Sequence, residues 1–179
     1  MCKKLMLLML CVLYALMLAT PPIYSEETTA LAEYTVKNGK KQVHFQFPES
    51  CYIMDDGSIG VFVFLNSSNY VAVSIPGRGL SGTEKLRENI GDDEKICVLS
   101  DDIYVFATHG DMNHHRPYVD IVSVGINLPD GTGIIANAES EYGRIEVCDL
   151  LLTIVGSMTD TSLLGEWLMD EWIPTITSN

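Results

Sequence analysis

The sequence predicts an α+β fold, an antiparallel β-sheet with helices packed on its faces in an α/β/α sandwich, and three observations carry that expectation. From Tyr118 to Met158 the residues read as a strand (Tyr118–Asn127), a turn (Leu128-Pro129-Asp130-Gly131), a strand (Gly133–Ser140) and a helix (Arg144–Met158). In that helix Val147, Cys148, Leu151, Val155 and Met158 recur at helical spacing while Glu146, Asp149 and Thr153 take the other side, so one stripe has to be buried. Pro129-Asp130-Gly131 combines a fixed φ, a side-chain acceptor and a permissive glycine, which pairs the two strands antiparallel. A second hairpin is signalled by Asn38-Gly39 between Ala32–Val36 and Lys41–Phe47.

The chain opens with Lys3 and Lys4, an apolar run from Leu5 to Ala19, and a break at Thr20-Pro21-Pro22. These are the parts of a signal peptide, placed at 1–25 with cleavage somewhere in 20–32. Its apolar run is shorter than the roughly 20 residues of a spanning helix, so no stable membrane span is expected after cleavage. Cys11 follows Leu10, not the small residue that lipoprotein acylation needs. The remainder, 33–179, has the length of one secreted domain with its own core.

Charge narrows the partners. Cleavage after Ser25 removes two of the 11 basic residues and none of the 24 acidic ones, which takes the net charge from −13 to −15. Phosphate backbones would be repelled, which argues against nucleic acid and leaves metal cations, cationic peptides and basic protein surfaces. Cys51, Cys97 and Cys148 remain after the signal, an odd and sparse set, so stability is expected from the core and not from a disulfide framework.

In the first hairpin a two-residue Asn38-Gly39 loop would pair Lys37 with Lys40, Tyr34 with Val43 and Ala32 with Phe45. Pro48 closes that strand, and Asp55-Asp56-Gly57-Ser58 marks a turn. Ile59–Leu65 is apolar on both alternations, as expected of a central strand covered on both sides. Asn66-Ser67-Ser68-Asn69 turns it into the half-buried Tyr70–Ile75. The loop Pro76–Gly82 leads to a short helix, Thr83–Ile90, started by Ser81 and Glu84 at capping-box spacing and stopped by Gly91. Strands follow at Lys95–Leu99 and Asp102–Thr108, then a polar loop, His109–Pro117. A last amphipathic helix, Thr161–Trp172, carries Leu164, Leu168 and Trp172 four apart, and Pro174 marks its end. Trp167 and Trp172 would cap the core, or, if exposed, offer an interaction surface.

Phe45-Gln46-Phe47-Pro48, Asn69-Tyr70-Val71-Ala72-Val73 and Leu152–Met158 together resemble the PsbP-like fold family, shared by the extrinsic photosystem II subunit and a Ran-binding nuclear import factor. The resemblance spans roughly Lys41–Met158, lacks the tryptophan usual after the opening proline, and implies binding of proteins or ions in place of catalysis.

His109, Asp111, His114 and His115 form the densest group of metal-binding residue types, and imidazole with carboxylate suits zinc or another divalent ion. HExxH and CxxC spacings are absent from the sequence. Gly77-Arg78-Gly79-Leu80-Ser81-Gly82 spells G-x-G-x-x-G, but the strand before it belongs to a hairpin and the helix after it is short, which argues against a dinucleotide. There is no G-x-S-x-G elbow, and the acidic clusters at Asp55-Asp56 and Asp92-Asp93-Glu94 lack the spacing of a calcium loop. Asn66-Ser67-Ser68 is a formal glycosylation acceptor. The expectation is a secreted, non-enzymatic binding module for a protein or cell-envelope component. A divalent metal on the His109–His115 loop, supporting hydrolysis, is the alternative.

Overall fold

A computed structural model of the chain describes residues 30–55, 57, 60–91, 95–110, 119–141 and 145–177. The segment expected to be a signal peptide, Asp111, His114, His115, Asp92-Asp93-Glu94 and the start of the helix expected from Arg144 lie outside the described residues.

The fold is α+β, with every described strand pairing antiparallel. A hairpin of β1 (Leu31–Asn38) and β2 (Lys41–Pro48) forms its own two-stranded sheet. The main sheet has seven strands: β3 (Tyr52–Asp55), β4 (Val61–Asn66), β5 (Asn69–Ser74), β6 (Cys97–Ser100), β7 (Ile103–His109), β8 (Val119–Asn127) and β9 (Gly133–Glu141). Their order is β3-β4-β5-β9-β8-β7-β6, so two meanders meet where β5 pairs with β9. Helix α1 (Gly82–Ile90) carries the chain from the middle of the sheet to its far edge. Helix α2 (Glu146–Gly156) and a C-terminal run follow: α3 (Ser162–Trp167), a π-helical turn (Leu168–Trp172) and α4 (Ile173–Thr177).

Most of the core lies on one face. Val63, Val71, Val73, Val105, Val124 and Ala136 are fully buried there, as period-two alternation demands. They are covered by Phe45 and Phe47 of the hairpin, by Leu151, Ile154 and Val155 of α2, and by Leu164, Leu168, Trp172 and Ile176 of the C-terminal run. Ser157 fastens the hairpin to the end of α2, its Oγ accepting from the Gln46 backbone N–H at 2.8 Å and donating to the Ile154 carbonyl at 2.7 Å. Trp172 is buried and Trp167 is partly buried against the same core, so the terminal tryptophans cap it. Cys51 and Cys148 are buried free thiols, and Cys97 is half-buried and free.

Three details depart from the sequence reading. The hairpin register is shifted by two residues, pairing Asn38 with Lys41, Val36 with Val43 and Tyr34 with Phe45. Gly39, at φ 62°, takes the first loop position with Lys40 second, the II′ pattern, and Asn38 joins the strand so that its Nδ2 donates to the Ile75 carbonyl at 2.7 Å. A shift of two keeps every side chain on its face. The edge strand β3 is not signalled in the sequence; it pairs Tyr52 with Phe64 and Met54 with Phe62. Pro174 does not end the last helix: the wider π turn before it, closed by Ile173 N–H on the Leu168 carbonyl, makes room for a ring with no N–H to donate.

The opposite face carries α1. Ser81 and Glu84 form the expected capping box, with the Ser81 N–H on Glu84 Oε2 at 2.9 Å and the Glu84 N–H on Ser81 Oγ at 3.2 Å. These bonds to Ser81 hold the Glu84 carboxyl below its ordinary pKa. Gly91, at φ 70°, ends the helix in left-handed backbone. Its first turn lies directly on sheet backbone. A Cβ at Gly82 would overlap the Ile126 and Ile134 carbonyl oxygens, and one at Gly125 or Gly133 would overlap the backbone of Gly82 or Ser81. Asn127 clamps the same turn, accepting from the Thr83 N–H at 3.3 Å and donating to Thr83 Oγ1 at 3.1 Å. From this seat Leu86 reaches a second, smaller core with Ile96, Phe106 and Ile135. Gly125→Ala would place a methyl 2.9 Å from Leu86 Cβ and against the Gly82 backbone. Thermal or urea unfolding is expected to show a loss of about 2–3 kcal/mol; Gly131→Ala, at φ 80° but with open space around it, meets only the left-handed backbone strain and is expected to cost about 1 kcal/mol.

Candidate binding face

Helix α1 covers the sheet over β7, β8 and β9. The strands at the other end, β3, β4 and β5, carry an aromatic ladder on that same face. Tyr52 stacks on Phe64 with ring centroids 4.8 Å apart and planes 3° apart. Phe64 lies 6.1 Å from Phe62 and 5.1 Å from Tyr70, and Phe62 meets Tyr70 edge-on at 5.6 Å. Cross-strand pairing explains the geometry: Tyr52 faces Phe64 and Phe64 faces Tyr70 in register. The Tyr70 hydroxyl donates to Glu139 Oε2 at 2.6 Å, anchoring the ladder to β9. Tyr52 is 51% and Met54 50% exposed, while Phe62, Phe64 and Tyr70 are half-buried by one another. The expectation that Ile59–Leu65 is covered on both sides is therefore corrected: Val61 and Val63 are buried, but among the described residues no helix lies over the Phe62 and Phe64 side.

The histidine group has a different character. His109 ends β7, its Nδ1 2.7 Å from Oδ1 of the buried Asp120 and its Nε2 3.0 Å from Thr175 Oγ1. Its ring stacks on Trp172 at 4.4 Å and 13°. Carboxylate, imidazole and hydroxyl stand in the order of a catalytic triad. The Thr175 hydrogen, however, goes to the Trp172 carbonyl at 2.6 Å, and one ring face is under the indole. A base with a committed hydroxyl makes a latch between the sheet and the C-terminal run, and a metal ion on a ring nitrogen of His109 would have to displace the Asp120 or the Thr175 contact. The other three candidate ligands, Asp111, His114 and His115, lie outside the described residues; among those described, no three His, Cys, Asp or Glu side chains converge.

The remaining motifs resolve into structure. Gly77-Arg78-Gly79-Leu80 is a tight turn with Arg78 at φ 59° and Gly79 at φ 73°, and the strand before it lies antiparallel between β4 and β9. Gly82, the last glycine of the G-x-G-x-x-G string, serves close helix-to-sheet packing. Asp55 accepts from the Gly57 N–H and the Tyr34 hydroxyl, both at 2.7 Å, and the bond from Tyr34 raises that residue's pKa. Burial, with the Asp149 and Asp120 charges, pushes the Cys148 thiol up to about 11, and burial raises Cys51 as well, so both are poor nucleophiles. Asn66 is exposed in its turn, where its Oδ1 accepts from Ser68 and Asn69.

No protein-family model matches the chain, and no curated protein or solved structure matches it either.

If His109 is a latch, His109→Ala removes the imidazole facing a buried carboxylate and the platform on Trp172. Unfolding is expected to show a loss of about 2 kcal/mol. In a cycle with Thr175→Val the two losses are expected to be non-additive, because they share one chain of contacts.

Proposed function

We propose that the chain is a secreted, non-enzymatic binding module that takes a protein partner on the open half of its main sheet. One observation carries the reading: Tyr52, Met54, Phe62, Phe64 and Tyr70 form a contiguous aromatic and sulfur-bearing surface on a face where, among the described residues, no helix lies over them. Aromatic and methionine side chains are the types enriched at interface centres, because they present large rigid or adaptable area at low entropic cost. The partner is an apolar segment flanked by basic residues. Beyond Lys95 the sequence holds only two basic residues, Arg116 and Arg144, against acids spread from Asp101 to Glu171, and Glu139 and Glu141 border the ladder on β9. Secretion rests on Lys3, Lys4 and the Leu5–Ala19 run, and the PsbP-like resemblance of Phe45-Gln46-Phe47-Pro48 belongs to the same proposal, since such folds mostly bind proteins or ions.

Selection from a random-peptide display library tests this. Enriched peptides are expected to combine aromatic or aliphatic residues with Lys or Arg, and to lose about tenfold or more in affinity for Tyr52→Asp/Met54→Asp. Val98→Asp, on the opposite sheet edge, is the control expected to leave binding intact. Absence of an enriched family, or equal binding to the ladder variant, would overturn the reading.

A further inference from the structure

Beside the ladder, between α1 and β9, a concavity of about 290 Å³ opens on the same face. Its walls are mostly apolar, with Leu86 and Ile90 of α1 on one side and Phe62 on the other, while Asn89 and the Glu139 carboxylate, which accepts from the Tyr70 hydroxyl, also line it. Its floor is not. Strand register sets one row across the sheet as Phe106, Ser123, Asn137, Ala72 and Phe62, so two polar residues stand side by side in the middle of an apolar row. Ser123 is only 8% exposed. Neither the Ser123 hydroxyl nor the Asn137 carboxamide has a hydrogen-bond partner among the described residues, and neither is sealed from the cavity. Ala72, short and directly opposite Asn137, leaves the space above them open.

We infer that this cavity is a subsite for a neutral carboxamide on an apolar stem, such as an asparagine or glutamine side chain of the partner, and the inference rests on the binding-module reading for the source of that group. A floor that offers a carboxamide N–H₂, a carboxamide oxygen and a hydroxyl within one cross-strand pair presents donor and acceptor together. An amide answers both. A carboxylate has nothing to donate to the Asn137 oxygen and would meet the Glu139 carboxylate, while an ammonium, which Glu139 would draw to itself, has nothing to accept from the Asn137 N–H₂ and would lose its hydration between Leu86 and Phe62. Apolar walls with few convergent polar groups are the usual make-up of a ligand site, and the volume suits a side chain.

Benzamide is the probe, with toluene, benzoate and benzylammonium as comparators, followed through the backbone amide signals of Ser123, Asn137 and Leu86 by nuclear magnetic resonance. Benzamide is expected to shift all three signals and to bind about tenfold or more tightly than each comparator. Asn137→Leu, close in shape, is expected to weaken benzamide about tenfold while leaving toluene unchanged, and Ser123→Ala gives a second, smaller change for which folding is not in question. No shift with benzamide, equal binding of benzoate or benzylammonium, or unaltered benzamide affinity in both variants would overturn the inference. If benzamide fails while ladder-dependent peptides still bind, the subsite falls and the module stands. If benzamide binds as described and no peptide does, the subsite stands and the module reading falls.

Discussion

Three glycines meet where α1 lands on the sheet, and much of the molecule depends on that contact. Gly82 lies on Gly125 and Gly133 with no room for a Cβ on any of them, so the helix rests backbone on backbone. The capping box and the Asn127 clamp hold the same turn in place. A helix is about 10 Å across, whereas seven strands spaced about 4.8 Å apart make a sheet close to 30 Å wide. A single short helix pinned over β7, β8 and β9 therefore leaves the β3, β4 and β5 end of that face uncovered by it.

The two faces consequently serve different ends. One is closed by the β1–β2 hairpin, α2 and the C-terminal run, and it holds the large core whose valines, isoleucines and leucines exclude water. His109, Asp120 and Thr175 tie the last helix across the end of that core. Folding is secured mainly from that side, and beyond the small core under α1 the opposite face carries, among the described residues, rings that shield each other. The ladder and the cavity beside it are adjacent because both border the part of the sheet that no described helix covers, one on its outer strands and the other at the edge of α1.

Local signals are the most legible. Helix α2 is visible in the spacing of Val147, Cys148, Leu151 and Val155, α1 in Ser81, Glu84 and Gly91, and the β8–β9 hairpin in Pro129-Asp130-Gly131. The alternation of Val71 and Val73 with Tyr70 and Ala72 also matches the burial found. Non-local features are hidden for physical reasons. Tyr52 and Met54 form a strand only because β4 offers them an edge, and Pro174 stays helical only because a π turn precedes it. Asn38 leaves the turn because a carbonyl on Ile75, distant in sequence, offers it a hydrogen bond. The candidate site is of this kind throughout. Its ladder draws on three strands, and the Ser123–Asn137 floor exists only once register is known. Phe62 and Phe64 are the one available signal, but an apolar alternation reads the same whether a helix or a binding partner is to cover it. Residue types alone point His109 toward metal, and its engagement with Asp120 and Thr175 depends on pairings that sequence spacing does not show.

The central claim, that one half of the α1 face is covered and the other half open, can be read directly from solvent paramagnetic relaxation, using a soluble gadolinium chelate and side-chain signals assigned by nuclear magnetic resonance. The account requires strong relaxation at Tyr52 and Met54, intermediate relaxation at Phe62 and Phe64, and little at Leu86, Phe106 and Ile135 on the same face of the same sheet. Equal protection of both sets would mean that something covers the ladder, and would contradict it.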